Sequence, residues 1–306
     1  MRMSKISYKQ VIIFLDTDKH ASPFDMLMAI DLYPDARIFY YSNVEAEDAK
    51  KLVQDAMFPR GPKGAKHTKL FIGGYNAEKA EAILEMAEKV MFPPFEIAVI
   101  MDPRGAHTTG PAMVAKALNL SLEKGFGDFK GKKIVVLAGT GPVGRIVSHL
   151  CGSEGAEVSI TSRSQERASS VANRINGELG VERVHGFKAA TAEIIGKVIS
   201  DADIILSTGT AGIQLIPKKV LKEYGKRSKV VADINAIPPL GIEGLRPDDD
   251  SVEVLHGVWG IGALTIGTFK NEIEAELFKK AMEAKKGVFD YRVAYQAAKS
   301  LLKIPP

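Results

Sequence analysis

Thiols, membrane-length apolar runs and an excess of one charge are all missing from this chain. Cys151 is the only cysteine in 306 residues, which excludes an internal disulfide and a thiolate metal cluster. Its place in an expected helix reads as a buried structural thiol. No apolar run reaches the about 20 residues of a membrane span. Met1 to Tyr8 carries no apolar core ahead of a cleavage site. A cytoplasmic protein with no membrane partner is therefore expected. Lys and Arg number 41 against 37 Asp and Glu, a formal net charge of +4, and the basic residues are scattered. No nucleic-acid partner is expected from that balance, although a mild positive bias suits an anionic small molecule. H-E-x-x-H, G-x-S-x-G and Walker patterns do not occur, so metal, acyl-transfer and phosphoryl-transfer chemistry have no foothold. No metal is expected, and no solenoid repeat is visible.

What is present centres on residues 133–144. A continuous apolar, β-branched run at 134–138 reads as a parallel strand covered on both faces. It leads into Gly139-Thr140-Gly141-Pro142-Val143-Gly144 and then a helix. Gly139 permits the tight turn, Gly141 removes the side chain that would block a pyrophosphate, and Gly144 lets the helix approach the strand. The helix start offers N–H groups and positive dipole to phosphates. Among 28 glycines such a pattern arises by chance; the strand before it and the helix after it make it a dinucleotide signal.

Strand and helix alternate along the whole chain. Strands are expected at 11–15, 36–41, 69–72, 96–101, 157–162, 204–207 and 230–233. Helical periodicity covers 45–58, 76–91 and 108–118 and resumes from 271 to the end. Residues 58–67 read as a basic surface loop. This is an α/β chain of two domains, an N-terminal parallel α/β domain and a doubly wound Rossmann-type domain. The boundary is expected in the glycine-rich break at 125–131, giving domains 1–125 and 126–284. The C-terminal helices, 285–306 in particular, pack back to complete the first domain.

The second strand of the later half ends in Ser162-Arg163-Ser164, where NAD-binding domains place an acid on the adenine ribose. A guanidinium and hydroxyls suit a 2′-phosphate instead, and Arg167 adds a second positive charge one turn on. NADP is therefore the expected cofactor, with NAD open. Thr208-Gly209, Asn235-Ala236 ahead of a stiff Pro-Pro turn, and the glycine turn of Trp259 to Gly262 are expected at successive strand ends, where cofactor and substrate meet. In the first half, Asp16, Asp18 and Asp25 follow one strand and Asp102 another. Thr108 and Thr109 follow Asp102, with Thr108 a helix N-cap. Asp25 fits equally well as the third residue of a capping box begun by Ser22, and His107 reads as a solvated loop histidine.

These segments carry a resemblance. The 139–144 turn, residues 232–244 with Asn235-Ala236-Ile237-Pro238-Pro239-Leu240-Gly241, Gly260-Ile261-Gly262, residues 14–18, Pro23-Phe24-Asp25 and Asp102-x-x-Gly-x-x-Thr-Thr109 resemble the NAD(P)-dependent methylene-tetrahydromethanopterin dehydrogenases of one-carbon metabolism, some of which also use methylene-tetrahydrofolate. The resemblance runs nearly end to end in the same order. It implies oxidation of a methylene-tetrahydropterin to its methenyl form with hydride transfer to NADP or NAD. It also implies an N-terminal pterin-side domain, a Rossmann domain, a cleft between them, a small-molecule tetrahydropterin partner and a homo-oligomer. Asp25 and then Asp102 are the implied catalytic carboxylates, with Asp16, Asp18, Phe24, Thr108 and Thr109 as substrate contacts. The family carries a lysine soon after the turn at Gly262. Here Thr265 takes that place, and Lys270, about a helical turn further on, is the implied substitute. Two rivals are a shikimate-type NADP dehydrogenase, which needs a Lys and Asp acid–base pair, and a regulator that senses NADPH without turning it over.

Overall fold

The structure is a computed structural model that describes residues 7–305; most of the Met1 to Tyr8 stretch lies outside the described residues. The chain begins with β1 (Val11–Asp16), α1 (Pro23–Leu32), β2 (Arg37–Tyr41) and α2 (Ala46–Met57). A 3-10 turn (Phe58–Arg60) and α3 (Gly61–Ala65) precede β3 (Thr68–Gly73), α4 (Ala77–Val90) and β4 (Ala98–Met101). Then follow α5 (Ala106–Glu123), β5 (Lys133–Leu137), α6 (Pro142–Ser153), β6 (Glu157–Ser162), α7 (Gln165–Leu179) and β7 (Val184–Lys188). The chain continues through α8 (Ala192–Ile199), β8 (Ile204–Ser207), α9 (Lys218–Tyr224), β9 (Val230–Asp233), β10 (Asp250–Leu255) and β11 (Val258–Ile261). It closes with α10 (Ala263–Glu283), β12 (Gly287–Phe289) and α11 (Tyr291–Leu301). No helix is long and apolar enough to cross a membrane among the described residues.

Two compact units result. The first runs up to His107 and takes back Glu272–Ala297. Its five parallel strands lie in the order β12-β4-β3-β1-β2. Leu15, Leu70, Ile72 and Val99 from the strands pack with Val53 of α2 and Ile83 of α4 in one core. On other strand positions Phe71 meets Phe14 at 4.7 Å and Phe278 of α10 at 5.6 Å between ring centres. The apolar runs read from the sequence are thus strands buried on both faces. Ser22 caps α1, its Oγ accepting the Phe24 N–H at 3.4 Å, with Pro23 in the first turn.

The second unit holds Thr108–Asn271 and the chain from Ala298 on. Its seven-stranded sheet has the order β10-β11-β9-β8-β5-β6-β7, parallel except for the β10 edge. Val135, Leu137, Ile205 and Val231 from its strands pack with Ile195 of α8 and Leu221 of α9.

Several expectations are corrected. The change of unit falls at His107 rather than at 125/126, because α5 packs within the second unit: a Cβ on Gly110 would come within 2.6 Å of Ile146 Cγ2 on α6. The returning segment begins inside α10 rather than at 285, and the C-terminal stretch is not one helical run. Gly287, at φ +112, helps break it, and Gly287–Phe289 pairs with β4 at the open edge of the first sheet. Trp259 to Ile261 is strand rather than turn, in register with β9. Residues 58–67 contain helical turns instead of a free loop. Arg60 fixes them by donating to Thr68 Oγ1 at 2.9 Å and to the Lys9 carbonyl at 2.5 Å. β7 and β10 were not foreseen.

Candidate active site

In the second unit β5, β6, β8, β9 and β11 run parallel, so their C-terminal ends share one sheet edge. The chain leaves β5 through Ala138, at φ +53, whose N–H donates to Thr161 Oγ1 at 3.1 Å. A Cβ on Gly144 would sit 2.5 Å from Gly139 Cα and 2.8 Å from Thr208 Oγ1, so α6 starts directly on the glycine turn. A Cβ on Gly141 would meet no atom closer than 3.9 Å. The turn is packed tightly beneath and open above, the form a pyrophosphate cradle needs. No side chain caps α6, and its first N–H groups and dipole form an anion-binding end.

Ser162, Arg163, Ser164 and Arg167 follow at the end of β6. Ser164 caps α7: its Oγ accepts the Arg167 N–H at 3.2 Å and donates to Glu166 Oε2 at 2.6 Å. That bond holds the Glu166 carboxyl below its usual range. Arg163 and Arg167 are exposed, and no side chain pairs with either guanidinium among the described residues. Thr208 Oγ1 donates to the Leu137 carbonyl at 2.8 Å, tying β8 to β5. Asn235 is buried, and its carboxamide is taken up by the loop. Oδ1 accepts the N–H groups of Gly212 (3.0 Å) and Ile237 (2.9 Å), and Nδ2 donates to the Pro239 carbonyl (2.9 Å). Asp233 beneath it accepts from Asn235 N–H (3.1 Å) and Ile242 N–H (3.0 Å). Burial raises the Asp233 carboxyl against the pull of those donors. Asn235 thus shapes the loop, and Ala236 is exposed at its surface. A Cβ on Gly262 would overlap the Arg246 carbonyl at 2.1 Å, so this glycine is required by packing.

In the first unit β1, β3 and β4 also end at a common edge. Asp16 accepts the N–H groups of Asp18 (2.8 Å) and Ser22 (3.1 Å), and burial raises its carboxyl despite them. Asp18 accepts the Tyr75 N–H at 2.9 Å and pairs with Arg104 at 3.4 Å. These two acids pin the loops that follow β1, β3 and β4. The Ser22 N–H, which a capping box would direct to Asp25, is thereby given to Asp16. Asp25 is buried and converges instead on Asp102 and on Glu274 of α10; carboxylate oxygens of the three lie within 4.8 Å of one another. Asp102 Oδ1 accepts the His107 N–H at 2.7 Å.

His107 is buried rather than solvated. Its Nδ1 accepts the Tyr291 N–H at 3.3 Å, and burial pushes its pKa down to about 4, with the Asp290 charge opposing. Thr108 is inside α5 rather than at its cap, since the helix begins at Ala106; it is fully buried and Thr109 partly so. Phe24 is 54% exposed. Thr265 Oγ1 donates to the Asp249 carbonyl at 3.0 Å. Lys270 is buried in the second unit's part of α10. Glu274 was not foreseen. Its signal was present: Ile273, Glu274 and Leu277 fall on one helical stripe, and an ionisable residue between apolar ones on such a stripe marks a demand for charge.

Residues 23–104 match the family described as "Methylene-tetrahydromethanopterin dehydrogenase, N-terminal", and residues 121–242 match "Shikimate / quinate 5-dehydrogenase". The "NAD(P)-dependent methylenetetrahydromethanopterin dehydrogenase" of Methylorubrum extorquens is 37% identical over 297 residues, covering 95% of this chain and 98% of that protein. The chain belongs to this methylenetetrahydromethanopterin dehydrogenase family. A second protein of that organism, "Bifunctional protein MdtA", is 33% identical over 96% of this chain and 99% of its own length. The shikimate 5-dehydrogenase structure from Listeria monocytogenes, with shikimate and NAD, shares the fold at 13% identity and a TM-score of 0.50, over 96% of this chain and 98% of that one. In this member of the methylenetetrahydromethanopterin dehydrogenase family, Asp25 and Asp102 fall within the matched N-terminal segment and Glu274 lies outside both matched segments.

Proposed function

We propose that the chain oxidises methylene-tetrahydromethanopterin to its methenyl form in the cytoplasm, with NADP as hydride acceptor, as a homo-oligomer. The observation that carries this reading is the convergence of Asp25, Asp102 and Glu274 at the sheet edge of the unit that matches the pterin-side family segment. NADP, when bound, supplies the electrophilic carbon that takes up the hydride. The open space over Gly141, the start of α6, the Arg163 and Arg167 guanidiniums and the surface at Ala236 are the groups that would hold it. Thr208 and Asn235 act by fixing the loops around it.

The methylene carbon bridges two nitrogens, so loss of hydride leaves an amidinium cation stabilised by the carrier's own lone pairs. No protein base is needed. The work left to the protein is alignment and stabilisation of the spreading positive charge. Buried carboxylates suit both tasks: Asp25 and Asp102 accept from the ring N–H groups of the carrier and favour its cation. Lys270 of α10 is the candidate substitute for the lysine the family carries at Thr265, whose own hydroxyl is engaged.

The test is nicotinamide absorbance with both carriers and both nicotinamides. The expected result is fastest NADP reduction with methylene-tetrahydromethanopterin and slower or no reduction with methylene-tetrahydrofolate. Tight NADP binding with no turnover on either carrier overturns the reading.

A further inference from the structure

The segment that follows β6 carries charge of both signs. Arg163 and Arg167 flank Glu166 in the sequence, and all three are exposed. Lys188, also exposed, ends β7 in register with Ser162 of β6. Gln165 fixes this neighbourhood: its Oε1 accepts the Lys188 N–H at 2.9 Å, and its Nε2 donates to the Gly186 carbonyl at 2.8 Å and to Ser169 Oγ at 2.9 Å. A Cβ on Gly186 would sit 2.4 Å from the Ala168 carbonyl carbon, so β7 lies directly against α7. The Ala189 N–H donates to the Ser162 carbonyl at 2.8 Å. The start of α7 and the end of β7 thus form one braced rim that carries Ser164, Glu166 and Lys188.

Glu166 suits one nucleotide and hinders the other. A hydroxyl has a single proton, and Ser164 gives its own to Glu166 Oε2 at 2.6 Å while its oxygen accepts the Arg167 N–H. That proton, the Glu166 N–H and the Lys188 charge keep the carboxyl ionised, below its usual range. The helix dipole favours an acid in the first turn, but this one stands among the groups that would attract a 2′-phosphate. A phosphate brings negative charge and acceptor oxygens. To use the Ser164 proton it must turn the carboxylate aside, and the two repel. A free 2′-hydroxyl has a proton of its own to donate, and a carboxylate is the acceptor that NAD-binding domains supply for it.

Resting on the nucleotide site described under the proposed function, we propose that Glu166 sets the nucleotide preference of this chain: its carboxylate accepts the adenosine 2′-hydroxyl of NAD and opposes the 2′-phosphate of NADP. Arg163, Arg167 and Lys188 pull the other way. The preference for NADP is then a difference between opposed groups on one rim rather than an exclusion of NAD. Removing a single negative charge moves it.

The experiment is calorimetric titration of the full chain and of Glu166→Gln with NADP and with NAD. Glutamine removes the charge but keeps an oxygen for the Ser164 hydroxyl, so the cap of α7 is retained, and circular dichroism checks the fold. NADP is expected to bind about fivefold more tightly or better, the worth of one like charge at about 4 Å in water. NAD is expected to bind about three- to tenfold more weakly, the worth of a hydrogen bond to a charged group. Raising the salt concentration should shrink the gain for NADP. The second arm follows the phosphorus resonance of the 2′-phosphate in bound NADP against pH. Its protonation midpoint is expected at lower pH in Glu166→Gln, because a neighbouring negative charge disfavours the dianion. An equal change for both nucleotides, or a midpoint that does not move, overturns the inference and leaves the nucleotide site in place. Failure of the wild type to bind either nucleotide overturns the site as well.

Discussion

At the sheet edge of the second unit the polar groups that gather are largely backbone: an open glycine turn, a helix start and a loop whose one buried carboxamide is used up holding its own shape. At the edge of the first unit they are side chains, three buried carboxylates delivered by α1, the end of β4 and α10. The first arrangement suits a polyanion, which asks for N–H groups and unobstructed approach. The second suits a cation that appears only as hydride departs. Under the proposed function one edge holds and the other favours a change of charge, so their failures should be separable.

The largest effect is expected at the carboxylates. Asp102→Asn and Asp25→Asn each lower kcat/KM by about 10²–10³, the scale of losing one preorganised electrostatic partner, while NADP affinity stays within about twofold. Steady-state kinetics beside a direct NADP titration measures both. A parallel fall in NADP affinity would erase the division of labour. Next comes Gly144→Ala. Its Cβ meets backbone at 2.5 Å, so the turn must shift. Overpacking of about 1–3 kcal/mol and loss of NADP binding are expected in thermal unfolding and titration, with carrier affinity retained.

Arg163→Ala is expected to weaken NADP by about ten- to a hundredfold, the worth of a charged hydrogen bond, and NAD hardly at all. Glu166, bonded to Ser164 in the same segment, makes this the sharpest test of nucleotide preference. Equal losses for both nucleotides would move the 2′-phosphate contact elsewhere. A further effect is in pH dependence. His107 titrates near 4 in the native protein against an ordinary 6.5, so between those values the unfolded chain binds a proton that the native one does not. Its contribution to stability is full above pH 6.5 and is lost as pH falls toward 4. Urea midpoints should fall across that window more steeply for the wild type than for His107→Gln; identical slopes would contradict the burial argument.

The turn and cap geometry at the second unit's edge was legible from the sequence because its signal is local. The glycines at 139, 141 and 144 do their work within one turn, and Ser162 to Arg167 within another. Even there, side-chain duty was misread for Asn235 and strand was taken for turn at Trp259, since both depend on neighbours across the sheet. The first unit's edge was half legible. Asp25 and Asp102 were named, but Asp16 and Asp18 belong to the loop scaffold, and Glu274 arrives from about 170 residues further along, by a helix the contact between segments brings back. Glu274 was visible only as a charge on a buried stripe, which no short motif records. β12 escaped because three residues that begin with a glycine carry almost no periodicity.

The most direct test of the account is paired calorimetric titration of Asp102→Asn with NADP and with the methylene carrier. The account predicts wild-type affinity for NADP and at least about tenfold weaker carrier binding, about 1.4 kcal/mol. Unchanged carrier affinity, or a loss confined to NADP, would contradict the assignment of the carrier to the carboxylates of the first unit.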